Sequence, residues 1–181
     1  MNYLLDGQES ERLKFRLLKK SDFSIWLEFF KHPDTAKYLG MESITTAHKK
    51  TEKWFELIFS RYKNDLGGLN VLIDKQTGKF IGQCGLLIQE IDGKQELEIG
   101  YSILPKFWHK GYATEAAIKC KNFAFENDFA ESLISIIHIN NASSQKVAER
   151  NGMSAKSKTE YKTMPVDIYR ITKKEWIFQK D

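Results

Sequence analysis

Glu98-Ile-Gly-Tyr-Ser-Ile-Leu-Pro-Lys-Phe-Trp-His-Lys-Gly-Tyr-Ala-Thr-Glu-Ala116 reads as a strand, a break at Pro105, a basic turn closing on Gly111 and the first turn of an amphipathic helix. Proline lacks an N–H and cannot continue strand pairing, so the strand of residues 95–104 is expected to leave its neighbour there. The backbone groups of Ser102, Ile103 and Leu104 are then left for another partner. A helix start exposes backbone N–H groups, and next to Lys110 and Gly111 those donors suit a phosphate-bearing ligand. The turn is not a Walker A loop, because Lys110 is not followed by Ser or Thr.

Upstream of this stretch, Leu13, Phe15 and Leu17 alternate with Arg12, Lys14 and Arg16, as in a strand. Ser21-Asp22 offers a helix cap ahead of Ile25, Trp26, Phe29 and Phe30, and Pro33 ends that helix. Trp54, Leu57, Ile58 and Tyr62 repeat at helical spacing, which predicts a second helix over about 46–63. Strands are expected around Val71 and Ile73, over 80–87 and over 95–104, separated by turns at 75–78 and 91–94.

Downstream, Ala116, Ala117, Cys120, Phe123 and Ala124 form one helical stripe. Residues 133–139 read as a strand covered on both faces, 141–151 as a short helix stopped by Gly152, and 153–162 and 166–178 as two closing strands. The order β-α-α-β-β-β-α-β-α-β-β predicts an α+β (mixed α/β) fold. An antiparallel meander leads into a β-α-β crossover, giving a mixed, mostly antiparallel sheet with helices on both faces. The parallel neighbour of strand 95–104 is then strand 133–139. A gap between two such splayed strands, closed at one end by a helix N-terminus, is a slot for an extended ligand with a phosphate end.

The bulk numbers narrow the possibilities. A chain of 181 residues fits one domain with a substantial core, and 41% hydrophobic content with three Pro argues against disorder. The first ten residues lack the basic region and apolar core of a secretion signal, and no apolar run approaches the ~20 residues that span a bilayer. Cys84 and Cys120 stand apart in sequence within apolar surroundings, which favours buried, reduced thiols in a cytoplasmic protein. A net charge of +4 permits anionic ligands. The basic residues are scattered and the aromatics keep core spacing, so neither a nucleic-acid nor a membrane partner is expected. The four His never meet Cys or carboxylates at ligand spacing, so no metal is expected. Monomer and homodimer are both compatible with the sequence.

Three segments together carry a family resemblance: Glu-Ile-Gly-Tyr (98–101), Phe-Trp-His-Lys-Gly-Tyr-Ala-Thr-Glu-Ala (107–116) and Asn-Ala-Ser-Ser-Gln-Lys-Val-Ala-Glu-Arg-Asn-Gly-Met (141–153). With Glu11-Arg12-Leu13, His32-Pro33-Asp34, Tyr38-Leu39, Phe80-Ile-Gly82 and Gly85, they resemble the GNAT superfamily of acetyl-CoA-dependent N-acetyltransferases. Within it they look like the ribosomal-protein N-terminal (alanine/serine) acetyltransferase branch. The likeness spans roughly residues 10–180, which implies a single acyl-CoA N-acyltransferase domain over 1–181.

The resemblance implies acetyl-CoA as co-substrate and an amine acceptor, either a protein N-terminus or a small molecule. It places the CoA pyrophosphate on the turn, from His109 and Lys110 through Gly111, Tyr112, Ala113 and Thr114. It also implies that Ile103 and Leu104 pair with the pantetheine arm and that Asn141 contacts it. One departure is Trp108, where the family turn often carries Gln or Arg. The pyrophosphate contacts are largely main-chain, so the turn is expected to tolerate it.

Acetyl transfer needs a neutral amine, a placed thioester and a departing thiolate. Glu98 is the candidate general base, working through water, since it shares a strand face with Gly100 and Ser102 and can face the slot. Residues of the other face are Leu97, Ile99, Tyr101 and Ile103. By resemblance Ser144 approaches the thioester sulfur, as candidate acid. The phenol that many GNAT enzymes carry in this helix is replaced by Ala148. A thiol pKa of ~8.5 means that departure needs little protonation. Neither Cys lies in the turn as an acyl carrier, which favours direct attack in a ternary complex over a covalent intermediate; a non-catalytic acyl-CoA-binding module is the alternative. His138 is expected to be a satisfied core histidine, His32 to border the acceptor side, and Tyr161 and Tyr169 to be core or surface more than pocket. Lys173, Lys174 and Lys180 are expected to form a solvated end.

Overall fold

The computed structural model describes residues 3–179. The chain begins with β1 (Leu13–Arg16), a 3-10 turn at Lys20–Asp22, α1 (Phe23–Lys31) and α2 (Ala47–Lys63). A meander of β2 (Gly67–Asp74), β3 (Phe80–Ile91) and β4 (Lys94–Ile103) follows. Then come α3 (Tyr112–Glu126), β5 (Ser132–His138), α4 (Ala142–Arg150), β6 (Ser154–Tyr161), β7 (Met164–Thr172) and α5 (Lys173–Phe178). The strands form a 7-stranded sheet in the order β1-β2-β3-β4-β5-β7-β6. Every pairing is antiparallel except that of β4 with β5.

The opening lies at that parallel pair and begins beyond Glu98, well before Pro105, which ends the pairing of β4 with β3 instead. The β3–β4 ladder holds register from Ile91↔Lys94 to Gly82↔Ile103, whereas β4 meets β5 only at Glu98↔Ile134. Beyond that point the two strands part.

Each face of the sheet is covered, as the apolar stripes require. Ala116, Ala117, Cys120, Ala124 and Phe125 of α3 pack on Leu97, Ile99 and Leu133. On the opposite face Trp26, Phe29, Phe30, Trp54, Phe55 and Ile58 of α1 and α2 pack on Leu69, Val71 and Leu87. A third, smaller cluster joins Ile91, Ile134, Val166 and Ile168 with Ile136, Tyr161 and Met164. Cys84 and Cys120, distant in sequence, bring their Sγ atoms to 3.5 Å in the first core, both buried and free.

Several sequence expectations need correction. The last strand does not run to 178 but ends at Thr172, whose hydroxyl accepts from Glu175 N–H while the Glu175 side chain returns to Thr172 N–H; this capping box starts α5. Lys173 is accordingly not a solvated end, since its ammonium pairs with Asp128; Lys180 lies outside the described residues. Ser21-Asp22 does not cap α1. A 3-10 turn precedes the helix and the Asp22 carboxylate instead takes a two-pronged pair from Arg16, at 2.7 and 2.8 Å. The strand expected over 80–87 continues to Ile91, because Asp92 (φ 50) and Gly93 (φ 70) alone make the reversal into β4.

Candidate functional site

The site assembles where β4 and β5 separate. Antiparallel pairing turns alternate backbone groups of β4 toward β3, and Leu104 N–H continues that series by donating to Ile81 O at 2.9 Å. The groups turned toward β5 therefore belong to Leu97, Ile99, Tyr101 and Ile103. The Ile99 carbonyl accepts from Ser135 Oγ (2.9 Å) and the Ile103 carbonyl from the Trp108 indole N–H (2.7 Å). The Leu104 carbonyl is engaged too, accepting from Phe107 N–H at 2.9 Å. Of the three residues expected to have free main chain, Ser102 turns toward Gln83 of β3 and Leu104 is committed within the protein, so Tyr101 joins Ile103 on the open edge.

At the end of this opening lies the N-terminus of α3. Its first helical bond runs from Glu115 N–H to Gly111 O at 3.0 Å, so the N–H groups of Tyr112, Ala113 and Thr114 stand outside the helical ladder, with no side-chain cap. Gly111 holds φ +81, a left-handed conformation that aims the chain into the helix. His109 and Lys110 precede it on the surface, and His109 also has a positive φ of 59.

The turn is braced from behind by Arg12. Its guanidinium donates to Lys110 O (3.0 Å), pairs with Glu115 (2.6 Å) and lies 4.3 Å from the Tyr112 ring centroid. Burial works to raise the Glu115 pKa, but the Ser10 hydroxyl and the Arg12 backbone and side chain outweigh it and hold the carboxyl below its ordinary value. Tyr112 in turn donates to Asp74 at 3.0 Å. Sequence reading found Arg12 only as part of a motif; its bracing role depends on β1 lying beside the turn.

Across the opening, Asn141 caps α4 by accepting Ser144 N–H at 3.2 Å. The Tyr101 hydroxyl donates to the Ser144 carbonyl at 2.9 Å, a strut from β4 to α4, and burial pushes its phenol well above the ordinary range. Trp108, the departure from the usual turn, ties the turn to the end of β4 and meets His32 edge-on at 5.1 Å. His32 also lines a cleft of about 420 Å³ between α1 and the Leu104–Lys106 segment. His138 is only half-buried, stacks on Tyr38 at 4.6 Å and accepts Asn140 N–H.

Glu98 sits at the last registered β4–β5 pair, on the α2 side of the sheet. Burial raises its pKa; Gln89, the Ile136 backbone N–H, Arg61 and Lys162 all pull the other way without cancelling it. Gln89 Nε2 donates to Glu98 at 2.6 Å, and the Tyr161 hydroxyl donates to Gln89 Oε1 at 3.0 Å. Arg61, 9% exposed, donates to the carbonyls of Leu66 (2.8 Å) and Ile88 (2.6 Å). Its Nε finds no partner among the described residues. Gln89 was missed at the sequence level, although a signal existed. A two-residue reversal at Asp92-Gly93 sets the register Leu87↔Glu98 and Gln89↔Glu96, which places Gln89 diagonally across from Glu98 on the same face. Arg61 and Tyr161 arrive from distant elements and have no such signal.

Among the described residues no group of three or more His, Cys, Asp or Glu gathers as metal ligands, and no helix is long and apolar enough to cross a membrane.

Comparison with known proteins gives a consistent picture. A family model described as an acetyltransferase (GNAT) domain matches residues 12–154. The uncharacterized protein YkkB of Bacillus subtilis strain 168 is 29% identical over 165 residues, covering 88% of this chain and 92% of YkkB. A proposed ribosomal-protein-serine acetyltransferase from Vibrio cholerae superposes with a TM-score of 0.72 at 18% identity, over 93% of this chain and 99% of that one. The spermidine N-acetyltransferase of Vibrio cholerae, in complex with CoA and spermine, superposes with a TM-score of 0.71 at 16% identity, over 92% and 98%. At such identities the two structures share the fold, and their near-equal scores do not discriminate between acceptors.

Proposed function

The chain belongs to the GNAT acetyltransferase family, and on that premise we propose that it moves the acetyl group of acetyl-CoA to a primary amine by direct attack in a ternary complex. One observation carries this reading: the single-pair contact of β4 with β5 sits beside the Glu98 carboxylate and opens toward uncapped N–H groups at the start of α3. The residues present fit CoA. The N–H groups from Lys110 through Thr114, flanked by His109, are positioned for the diphosphate by hydrogen bonding and by the positive helix end. Tyr101 and Ile103 replace the expected Ile103–Leu104 pair as main-chain partners of the pantetheine arm. Asn141 already uses its carbonyl oxygen as a cap, which leaves its NH2 for the same arm. When bound, acetyl-CoA supplies an activated thioester.

The protein's own groups then have three tasks. Glu98, held at a raised pKa, accepts a proton from the incoming amine through water. Main-chain N–H groups on the open edge of β4 polarise the acyl oxygen. The Ser144 hydroxyl, in the first turn of α4, is the nearest acid on that helix now that residue 148 is Ala; a thiol of pKa ~8.5 makes it dispensable.

For the acceptor we favour an α-amino group, as in the ribosomal-protein branch that the sequence resembles. An α-amine, with a pKa of ~8, is neutral far more often at pH 7 than a lysine-type amine of ~10.4. Arg61 and Lys162 also add positive charge beside Glu98, which disfavours a polyamine. Thiol release from acetyl-CoA, measured with peptides bearing free α-amines, spermidine and an aminoglycoside, tests this. The peptides should give the highest kcat/KM; CoA binding without thiol release across the panel would refute catalysis.

A second measurement addresses the turn. A left-handed conformation costs an L-residue roughly 1–2 kcal/mol, so Gly111→Val is expected to raise the KM for acetyl-CoA about tenfold, with a smaller effect on kcat. An unchanged KM would remove the turn from the cofactor site.

A further inference from the structure

We propose that Gln89 and Tyr161 are positioning residues for Glu98: they form a hydrogen-bonded chain from the β6–β7 hairpin to the carboxylate and hold it in its ionised form. The inference rests on the acetyl-transfer reading and adds to it the groups that set the strength of the base.

The direction of the chain follows from what each group can offer. An ionised carboxylate only accepts, so Gln89 must turn its NH2 toward Glu98, at 2.6 Å, and its carbonyl oxygen toward the Tyr161 hydroxyl, at 3.0 Å. Tyr161, with a phenol that burial pushes up to about 12, stays protonated and remains a donor. Every link therefore points its proton toward Glu98, and the Ile136 N–H adds a donor from β5. A protonated Glu98 keeps one carbonyl oxygen to accept but is a weaker acceptor than the carboxylate, so the donors aimed at it are served best by the ionised form. The arrangement thus favours the state that can accept a proton, against the burial that disfavours it.

The charged groups facing Glu98 act in the same sense: Arg61 from α2 and Lys162 from the hairpin turn. Glu96, two residues away on the same strand face, is neutralised by Arg170 through contacts at 2.7 and 3.0 Å. The chain also has a geometric consequence. Tyr161 is the last residue of β6 and is followed by Lys162 (φ 48) and Thr163 (φ 64), left-handed positions that a β-branched residue rarely takes. The hairpin tip is thereby bent into one shape, and that shape delivers the hydroxyl to Gln89. The hairpin and Glu98 are thus joined through Gln89 by two hydrogen bonds.

The test uses the full chain. A carbon-13 carboxyl titration of Glu98, assigned by its disappearance in Glu98→Gln, is followed in wild type, Gln89→Leu and Tyr161→Phe, beside the pH profile of kcat. Removing a donor to the charged form raises the pKa. The Glu98 titration and the acidic limb of kcat should therefore move to higher pH by about one unit in Gln89→Leu, and by less in Tyr161→Phe. A merely structural role would lower the whole profile and leave both the limb and the titration in place; that result in both variants overturns the proposal. Tyr161→Phe removes one hydroxyl only and decides the matter if Gln89→Leu fails to fold. Wild type that transfers acetyl to no amine would strike the catalytic reading, while the carboxyl titration still decides whether the chain exists.

Discussion

Glu98→Gln is expected to lower turnover by about 10²- to 10⁴-fold, the usual contribution of a placed general base, while CoA affinity stays near that of wild type. The separation arises because Glu98 lies at the β4–β5 contact, on the α2 side, whereas the N–H groups proposed for the diphosphate belong to the far end of the opening. The variant should not be destabilised at neutral pH. A folded-state pKa raised by burial means that the unfolded chain loses its Glu98 proton first as pH rises. Wild-type stability from this group is therefore fully present below the ordinary carboxylate value and falls as pH climbs toward the raised one. Glutamine, which does not ionise, removes that slope. Steady-state kinetics with thermal melts at several pH values checks all of this: loss of turnover with a parallel fall in melting temperature would make Glu98 structural, and retained turnover would eliminate it as the base.

The largest stability effect is expected from Trp26→Ala. Trp26 is fully buried, stacked on Phe29 at 4.3 Å and surrounded by Phe30, Trp54 and Phe80 at 5.9 to 6.4 Å between ring centres. Removing it leaves a cavity that rings anchored on α1, α2 and β3 cannot close, for a cost of about 3–5 kcal/mol. For a chain of this length that lowers the melting temperature by roughly 6–20 °C. Trp26→Phe should cost much less, for two reasons. The cavity is smaller, and the indole N–H, which has no partner among the described residues, is no longer buried unpaired. Calorimetry on both variants decides: equal losses would mean that the indole ring size is irrelevant there.

How much of this was legible beforehand differs between the two halves of the site. The cofactor end was readable because its elements are local. Pro105 ends strand pairing, Gly111 takes the left-handed turn and the stripe after it demands a helix, all within nineteen consecutive residues. Its errors, Ser102 and Leu104, are a matter of parity. Strand backbones alternate their hydrogen-bonding sides, and which side β3 occupies sets whether Leu104 or Tyr101 faces the opening. The final helix was read as part of the last strand; what ends that strand is the reciprocal capping of Thr172 and Glu175, which starts a helix at Lys173. Glu98, the proposed base, was nameable from its strand face and Gln89 was within reach of the hairpin register, but Arg61 and Tyr161 were not, since they come from α2 and β6.

By itself, then, the amino-acid sequence determined the order of elements up to β7, the end of β4 before Pro105 and the helix N-terminus after Gly111, because proline, glycine and apolar period act within a few residues of where they stand. Tertiary structure alone decided which backbone edge is open, what braces the turn from β1 and what surrounds Glu98. Those depend on register and on contacts between residues far apart in sequence, such as the 103 positions between Arg12 and Glu115, where short-range preference has no say.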